Sequence, residues 1–188
     1  MNLHIKNMLN KTEKIIITGK SGSGKDWLLR QLEKEGLKVS VKTTTRPQRK
    51  NEVQSVTYNF ISDDEFKSLI ENSQFICHQS FYVTPEGRDP ETWHYGLSKE
   101  EFNKSQAFIM TPGEIEQIDE VTRKGCFVVY LDIDRYIRES RICGRNDNND
   151  SVQRRLDADE IDFKDFKDYD LKVTDPEFEV EMVLSLMY

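Results

Sequence analysis

A glycine-rich loop at residues 19–26, with the sequence Gly-Lys-Ser-Gly-Ser-Gly-Lys-Asp, constrains the fold of this chain most. It follows the apolar run at 15–17 and precedes another apolar run that begins at Trp27, so it lies between a predicted strand and a predicted helix. The pattern G-x-x-x-x-G-K-[ST] is matched at every defined position except the last. Backbone N–H groups of such a loop wrap phosphates, and its lysine neutralises the outer ones. The predicted phosphate-binding residues are Gly19, Ser21, Gly22, Ser23, Gly24, Lys25 and Asp26.

Asp26 stands where the motif has a hydroxyl residue that binds Mg²⁺. One explanation is structural, because the helix macrodipole favours a carboxylate in the first turn of a helix. The other is functional, because a carboxylate beside a polyphosphate is tolerated mainly where a cation lies between them. The two roles are compatible. We expect Asp26 to bind Mg²⁺, either directly or through water.

Composition limits the classes of protein to which the chain can belong. Its 188 residues correspond to one domain. The net charge of -7 argues against a general nucleic-acid coat. Cys77, Cys126 and Cys143 share no metal-ligand spacing and are typical of reduced cytosolic thiols. No apolar stretch approaches the roughly 20 residues that span a bilayer, so we expect a soluble, cytoplasmic protein without a membrane partner.

Strand and helix signals alternate along the chain, which predicts an α/β fold. Strands are predicted at 14–18, 37–45, 74–83, 107–110, 127–131 and 170–173, and helices at 26–35, 62–71, 114–124, 134–143, 151–159 and 177–187, with another beginning at residue 98. Such alternation after a phosphate-binding loop implies a doubly wound parallel sheet with helices on both faces. A ribbon at 53–61 interrupts it and predicts a small lobe above the sheet. Residues 84–91 read as an irregular loop, long enough for an insertion or a lid.

A second motif covers residues 44–53, with the sequence Thr-Thr-Arg-Pro-Gln-Arg-Lys-Asn-Glu-Val, and is followed by Tyr58-Asn59-Phe60. It is similar to the T-T-R-x-x-R-x-G-E-V…Y-x-F signature of guanylate kinases, with Asn51 in place of the glycine. The chain resembles this family from about residue 14 to the C-terminal helix. The resemblance implies that Arg46, Arg49 and Tyr58 hold the monophosphate of an acceptor nucleotide. Tyr95-Gly96 matches the family's second tyrosine, which precedes a glycine.

Arginines also recur in the C-terminal part of the chain. Arg141, Arg145 and Arg155 resemble the family's lid helix and the arginine after it, which implies that they close over the transferring phosphoryl group. A salt-bridged surface helix that uses Glu139, Asp157 and Asp159 is the alternative. For Arg138 and Arg154 both interpretations stay open. The implied catalytic residues are Lys25, Arg46, Arg141, Arg145 and Arg155.

The chain departs from the family where guanine is recognised. Cys77 stands where the family has a glutamate that accepts two hydrogen bonds from guanine, and a thiol cannot accept both strongly. Lys42 replaces a serine, and residues 110–113 lack the family's aspartates. Altered base contacts beside retained phosphate contacts predict a different base, and the Lys42 donor favours one with a carbonyl. Residues 81–94 either add contacts, through Glu86, Arg88, Glu91, Trp93 or His94, or form an exposed loop.

These patterns predict one guanylate kinase-like domain at 14–188 after an extension at 1–13. The core is predicted at 14–41, 107–135 and 160–188, the NMP-binding lobe at about 42–100 and the lid at about 136–158. The predicted activity is ATP- and Mg²⁺-dependent phosphoryl transfer to a nucleoside monophosphate, by a monomer or homodimer. The alternatives are a sugar-phosphate kinase resembling ribose bisphosphate phosphokinase, and a non-catalytic binding module, against which the intact Lys25 argues. The implied substrate-binding residues are Lys42, Arg46, Arg49, Tyr58, Cys77, Tyr95 and Gly96.

Overall fold

The computed structural model describes residues 14–50, 52–84, 89–144 and 151–185. The strands are β1 (Lys14–Gly19), β2 (Thr43–Thr44), β3 (Asn59–Phe60), β4 (Phe75–Val83), β5 (Glu91–Ser98), β6 (Ala107–Ile109), β7 (Cys126–Leu131) and β8 (Leu171–Val173). The helices are α1 (Lys25–Lys34), α2 (Asp63–Glu71), α3 (Lys99–Lys104), α4 (Pro112–Ile115), α5 (Glu120–Lys124), α6 (Arg135–Cys143), α7 (Val152–Asp162) and α8 (Val180–Ser185). The predicted extension at 1–13, together with Asn51, Glu86, Arg88 and Arg145, lies outside the described residues.

A parallel sheet with the strand order β6-β1-β7-β8 forms the centre of the molecule. Ile15 and Ile17 of β1 point into the apolar cluster that α1 and α8 cover, whereas Ile16 points into the cluster that contains Phe102 of α3 and Ile115 of α4. A strand buried on both faces needs a continuous apolar run, which β1 has. The predicted doubly wound parallel sheet with helices on both faces is therefore confirmed.

A second sheet with the order β3-β2-β5-β4 lies between β1 and β6 in the sequence. The predicted strand at 37–45 is wrong in extent, because the chain changes sheets within it. Val39 makes a single parallel bridge to Ala107 at the edge of the first sheet, and Thr43–Thr44 pair with β3 and β5 of the second. The predicted ribbon at 53–61 is likewise reduced to Asn59–Phe60 and a bridge between Gln54 and Tyr58.

Strands β4 and β5 pair over their whole length, from Phe75↔Ser98 to Val83↔Glu91. The predicted loop at 84–91 is thus shorter than expected, because Glu91 opens β5. The side chains of a strand alternate between its faces. This alternation places Cys77, Gln79 and Phe81 on one face of β4, with their partners Leu97, Tyr95 and Trp93 on β5.

The helix predicted at 114–124 is also wrong, since two short helices, α4 and α5, replace it. Thr111 and Glu114 form a capping box that starts α4, and Asp119 accepts hydrogen bonds from the backbone N–H groups of Val121 and Thr122 to start α5. A helical pattern in the sequence does not reveal such a second start. Within the described ranges no helix is long and apolar enough to cross a membrane.

Candidate active site

The glycine-rich loop joins β1 to α1 at the carboxyl end of the parallel sheet. Gly22 has φ 78° and Gly24 φ 106°, in the left-handed region that favours glycine. A Cβ on Gly22 would lie 2.6 Å from the carbonyl oxygen of Arg138, so α6 packs directly against the loop backbone. Ser23 is buried, and its Oγ has no hydrogen-bond partner among the described residues. A buried polar atom beside N–H groups at a helix start fits a loop that binds phosphate.

Lys25 and Asp26 form the first turn of α1. The Lys25 ammonium group donates to the carbonyl oxygens of Gly19 at 2.6 Å and Lys20 at 3.1 Å, which holds it over the loop. Asp26 is exposed. The pKa of Tyr58 is raised mainly by burial, and the charges of Tyr95 and Asp26 raise it further, so Asp26 lies near Tyr58. The start of α1 therefore faces the second sheet. The described residues contain no cluster of three or more metal-ligating side chains. The single carboxylate of Asp26 suits Mg²⁺ that also binds phosphate oxygens.

Three residues of the second motif come together with Tyr95 of β5 near the start of this helix. The Arg46 guanidinium carbon lies 5.5 Å from the ring centroid of Tyr58, and the centroids of Tyr58 and Tyr95 are 6.0 Å apart. Burial raises the pKa of Tyr95, and the nearby guanidiniums of Arg46 and Arg49 lower it in part. The predicted residues Arg46, Arg49, Tyr58 and Tyr95 are thus one cluster.

Glu52 fixes the arginines of this cluster. Its carboxylate accepts from Nη2 of Arg46 at 2.6 Å and from the backbone N–H of Arg49 at 2.8 Å. Burial opposes the charge on Arg46, but Glu52 together with Tyr95 and Tyr58 leaves the pKa of Arg46 raised. Burial would likewise raise the pKa of Glu52, yet Arg46 and the Arg49 backbone lower it. Both groups stay charged near neutral pH, so Glu52 holds the Arg46 guanidinium in a fixed position, an arrangement that suits an anion ligand.

Gly96 and Tyr95 are neighbours on β5, so they point to opposite faces of the second sheet. A Cβ on Gly96 would lie 2.5 Å from Cε1 of Phe75, on the face of the sheet opposite Tyr95. The Phe75 ring packs so closely against position 96 that only glycine fits there.

A polar cluster lies next to Tyr95, on the same face of the second sheet. It consists of Lys42, Gln79, Thr111 and Glu114. Lys42 donates to both carboxylate oxygens of Glu114 at 2.6 Å, and Glu114 is 1% exposed. The hydroxyl of Thr111 donates to Oε1 of Gln79 at 2.5 Å. Cys77 lies within the electrostatic reach of both Glu114 and Lys42. Sequence reasoning found Lys42 and Cys77 but missed Gln79 and Glu114. The T-x-x-E spacing of a capping box could have located Glu114, although it indicates a structural role alone.

The cysteines differ sharply in expected reactivity, because the thiolate is the reactive form. Burial, reinforced by Glu114, raises the pKa of Cys77 to about 12, and burial also raises the pKa of Cys126. Cys143 is exposed. We expect one rapid equivalent of Ellman's reagent at pH 8 and three in denaturant. The raised pKa of Cys77 favours the folded state up to the ordinary thiol pKa, and this contribution disappears as pH rises toward about 12.

The variant Cys143→Ser is the control for this titration and should abolish the rapid phase. A second rapid equivalent in the native protein would contradict the assignment of Cys77 and Cys126 as buried neutral thiols.

Helices α6 and α7 bring charges to the back of the phosphate loop. Arg138 is buried and bonds to the carbonyl oxygen of Ile133 and to Glu160, both at 2.9 Å. Asp159 accepts from the backbone N–H of Ser21 at 2.7 Å, and Glu160 pairs with Lys20. Arg138 is therefore ion-paired, as the alternative expected, but it is buried and does not lie on a surface helix; its pairs with Asp159 and Glu160 link α6 to α7 beside the loop.

The other predicted lid arginines lie in different surroundings. Arg141 donates to the carbonyl oxygen of Pro176 at 2.9 Å, and its Nη1 lies 3.5 Å from the carbonyl oxygens of Gly22 and Ser23. Arg155 is half-buried on α7, and Arg145 lies outside the described residues. Arg141 is thus placed at the phosphate loop, and a lid role for Arg141, Arg145 and Arg155 stays a prediction.

A cleft of about 400 Å³ opens beside the loop. Its volume lies within the usual range for small-molecule pockets, about 300–1,000 Å³. Trp27 is 44% exposed there and stacks edge-on with Phe178. The lining residues are Gly24, Trp27, Arg141, Pro176, Glu177, Phe178 and Glu179.

Comparison with known proteins gives concordant results. The family model "Guanylate kinase" matches residues 11–88. The guanylate kinase of Clostridioides difficile is 32% identical over 168 residues, which cover 83% of this chain and 76% of that protein. The chain belongs to the guanylate kinase family. The guanylate kinase of Rickettsia prowazekii is 28% identical over 172 residues, covering 90% of this chain and 86% of that protein.

A solved structure shares the fold of this chain. The crystal structure of guanylate kinase from Anaplasma phagocytophilum superposes with a TM-score of 0.61 and 18% identity, covering 95% of this chain and 84% of that one. At this level of identity the match shows a shared fold. The sequence-based assignment to the guanylate kinase family is confirmed.

Proposed function

We propose that this protein transfers the γ-phosphoryl group of ATP to a nucleoside or deoxynucleoside 5′-monophosphate and that its acceptor base is not guanine. The arrangement of Arg46, Tyr58 and Tyr95 beside the start of α1 carries the proposal. This arrangement supports an anion site that faces the phosphate loop. Phosphoryl transfer requires such a site, because the acceptor phosphate must lie close to the phosphates of ATP.

Catalysis in this scheme consists of positioning and charge neutralisation. The loop N–H groups and Lys25 would hold the phosphates of ATP, and the cleft beside Trp27 would take its nucleoside. Arg46 and Arg49 would bind the acceptor phosphate, with the Tyr58 and Tyr95 hydroxyls as further donors. Bound Mg²⁺, for which Asp26 would be a ligand, neutralises charge on the phosphates. Arg141 lies where it could donate to the transferring group.

Two features of the base region support an acceptor other than GMP. The raised pKa keeps Cys77 a neutral thiol, which is a weak hydrogen-bond acceptor. The nearby Glu114 carboxylate is already neutralised by Lys42 and accepts from the Thr111 backbone N–H at 2.9 Å. A guanine base needs two good acceptors for its N1–H and amino group, and this region supplies fewer.

The test is ADP formation with ATP, Mg²⁺ and a panel of ribo- and deoxyribonucleoside monophosphates plus ribose bisphosphate. The expected result is acceptor-dependent turnover that is highest with a nucleotide other than GMP or dGMP. Highest turnover with GMP would contradict the altered specificity. Turnover with ribose bisphosphate alone would identify a sugar-phosphate kinase, and no turnover with any acceptor would favour a non-catalytic module.

A further inference from the structure

The donors and acceptors around Lys42 define one base edge. We propose that the acceptor is the monophosphate of a 2,4-dioxopyrimidine, which is uracil or thymine, and that Lys42, Glu114 and Gln79 read its edge. This inference rests on the proposed kinase function and assigns its substrate class.

The position of the cluster connects it to the acceptor phosphate site. Gln79 of β4 lies directly across from Tyr95 of β5, and Cys77 lies across from Leu97 one step further along the same face. A nucleotide whose phosphate binds at Arg46 and Tyr95 would extend its base along this face. Its base would then meet Gln79, Cys77 and the Lys42–Glu114 pair.

Lys42 offers one hydrogen-bond donor to a ligand. Its ammonium group has three N–H bonds. Two are directed at the oxygens of Glu114, and the third has no partner among the described residues. The side chain is 13% exposed, so it is nearly buried but not fully enclosed. Its charge is compensated by Glu114, which suits a neutral base.

Gln79 offers the second donor. The Thr111 hydroxyl donates to Oε1 of Gln79 at 2.5 Å, and this orientation turns the Nε2 donor away from Thr111. The second donor is therefore the amide nitrogen of Gln79. Its Nε2 has no partner in the described part of the chain and lies 3.7 Å from where a Cβ on Gly113 would be. The missing side chain at Gly113 leaves space in front of this donor.

Glu114 is buried, and one of its oxygens has a lone pair that a base entering the cluster could use. Its Oε2 already accepts from Lys42 and from the Thr111 backbone N–H. Its Oε1 accepts from Lys42 alone among the described residues, and a carboxylate oxygen has a second lone pair. The cluster therefore presents two donors and one acceptor.

This set fits the edge of uracil or thymine, where carbonyl oxygens at C2 and C4 flank the N3–H donor. Guanine presents one acceptor and two donors, and would leave a donor of the protein facing a donor of the base. Cytosine presents an amino group where the dioxopyrimidine has a carbonyl. A mismatched buried hydrogen-bonding group is costly, so this difference can set specificity.

The experiment compares kcat/KM for dTMP, dUMP, UMP, dCMP, CMP, GMP, dGMP and AMP in the wild type and in Gln79→Glu. This variant retains the bond to Thr111 and replaces the Nε2 donor by an acceptor. The wild type should favour a dioxopyrimidine by about 10-fold or more, and Gln79→Glu should reduce its preference over cytosine nucleotides by about 10-fold. Gln74→Glu makes the same charge change at an exposed position just before β4 and should leave the preference unchanged.

A second variant addresses the ion pair. Lys42→Met alone would leave the buried Glu114 charge without its partner and can unfold the protein. The double variant Lys42→Met/Glu114→Gln removes both charges and should lose the same preference while binding ATP as the wild type does, measured by calorimetry.

The outcomes separate this inference from the proposed function. A wild type that prefers AMP or a cytosine nucleotide would overturn the inference and leave the altered-specificity kinase intact. An unchanged preference in Gln79→Glu and in the double variant would overturn the residue assignment. A preference for GMP would overturn both, and so would the absence of acceptor-dependent turnover.

Discussion

Replacing Lys25 by Met is expected to lower kcat by about 10³-fold, because it removes the positive charge held over the loop that binds phosphate. Methionine keeps the length and the helix propensity of the side chain, so α1 should form as before. The Lys25 amine has partners on the loop backbone, and its loss removes one donor from the Gly19 and Lys20 carbonyl oxygens. The measurement is the steady-state rate of ADP formation at saturating ATP with the preferred monophosphate.

Lys34→Met provides the matched control for this substitution. Lys34 lies in the last turn of the same helix and is exposed, with a contact to Gln31. Its replacement should change kcat by less than twofold. A Lys25→Met enzyme that retains more than a tenth of wild-type kcat, with a normal circular dichroism spectrum, would contradict the role given to the loop.

The parts of the site that follow from local sequence patterns were predictable. The phosphate loop depends on glycines with positive φ between a strand and a helix, and both signals are local. The predicted strands at β1 and β7 were found because apolar runs buried on both faces are distinct. The prediction that Arg46, Tyr58 and Tyr95 lie close together came from the family resemblance. No local pattern in the sequence relates residue 58 to residue 95.

The base region could not be predicted because its contacts join distant elements. Lys42 and Glu114 are separated by 72 positions, and Gln79 and Thr111 by 32. Aligning Lys42 with a family serine indicated a hydrogen-bond donor at this position, but nothing in the sequence indicated its partner Glu114. The failed strand at 37–45 has a similar cause, because the chain there leaves one sheet for another while keeping β-branched residues.

The surroundings of Arg138, on the other side of the phosphate loop, could not be predicted from the sequence either. Its spacing from Arg141 suggests a continuous basic helix face, yet the two side chains have different surroundings. Arg138 is buried against Glu160 and Asp159, whereas Arg141 reaches Pro176 and the loop carbonyls. Charge pattern alone could not separate an arginine that links α6 to α7 from one that faces the cleft.

Replacing Arg46 by Lys is expected to lower kcat/KM for the acceptor by about 10²-fold while changing the KM for ATP by less than about threefold. In the proposed function Arg46 would present a planar fork to the acceptor phosphate, and Glu52 with the Pro47 carbonyl already holds part of that fork in place. Lysine keeps the charge and the pairing with Glu52 but cannot donate to two phosphate oxygens in the same plane. The measurement is initial rate over a grid of ATP and acceptor concentrations.

Stability must be separated from binding in this case, because Arg46 is 4% exposed and Glu52 lies against it. Removing the arginine entirely would leave a poorly solvated carboxylate, which costs about 3–5 kcal/mol where a buried pair is broken. The double variant Arg46→Met/Glu52→Gln removes both charges and should unfold in urea closer to the wild type than Arg46→Met does. It should still lose acceptor kcat/KM by at least as much as Arg46→Lys, because the anion site has then lost its guanidinium. A folded double variant with wild-type acceptor kinetics would place the acceptor phosphate somewhere other than the Arg46, Tyr58 and Tyr95 cluster.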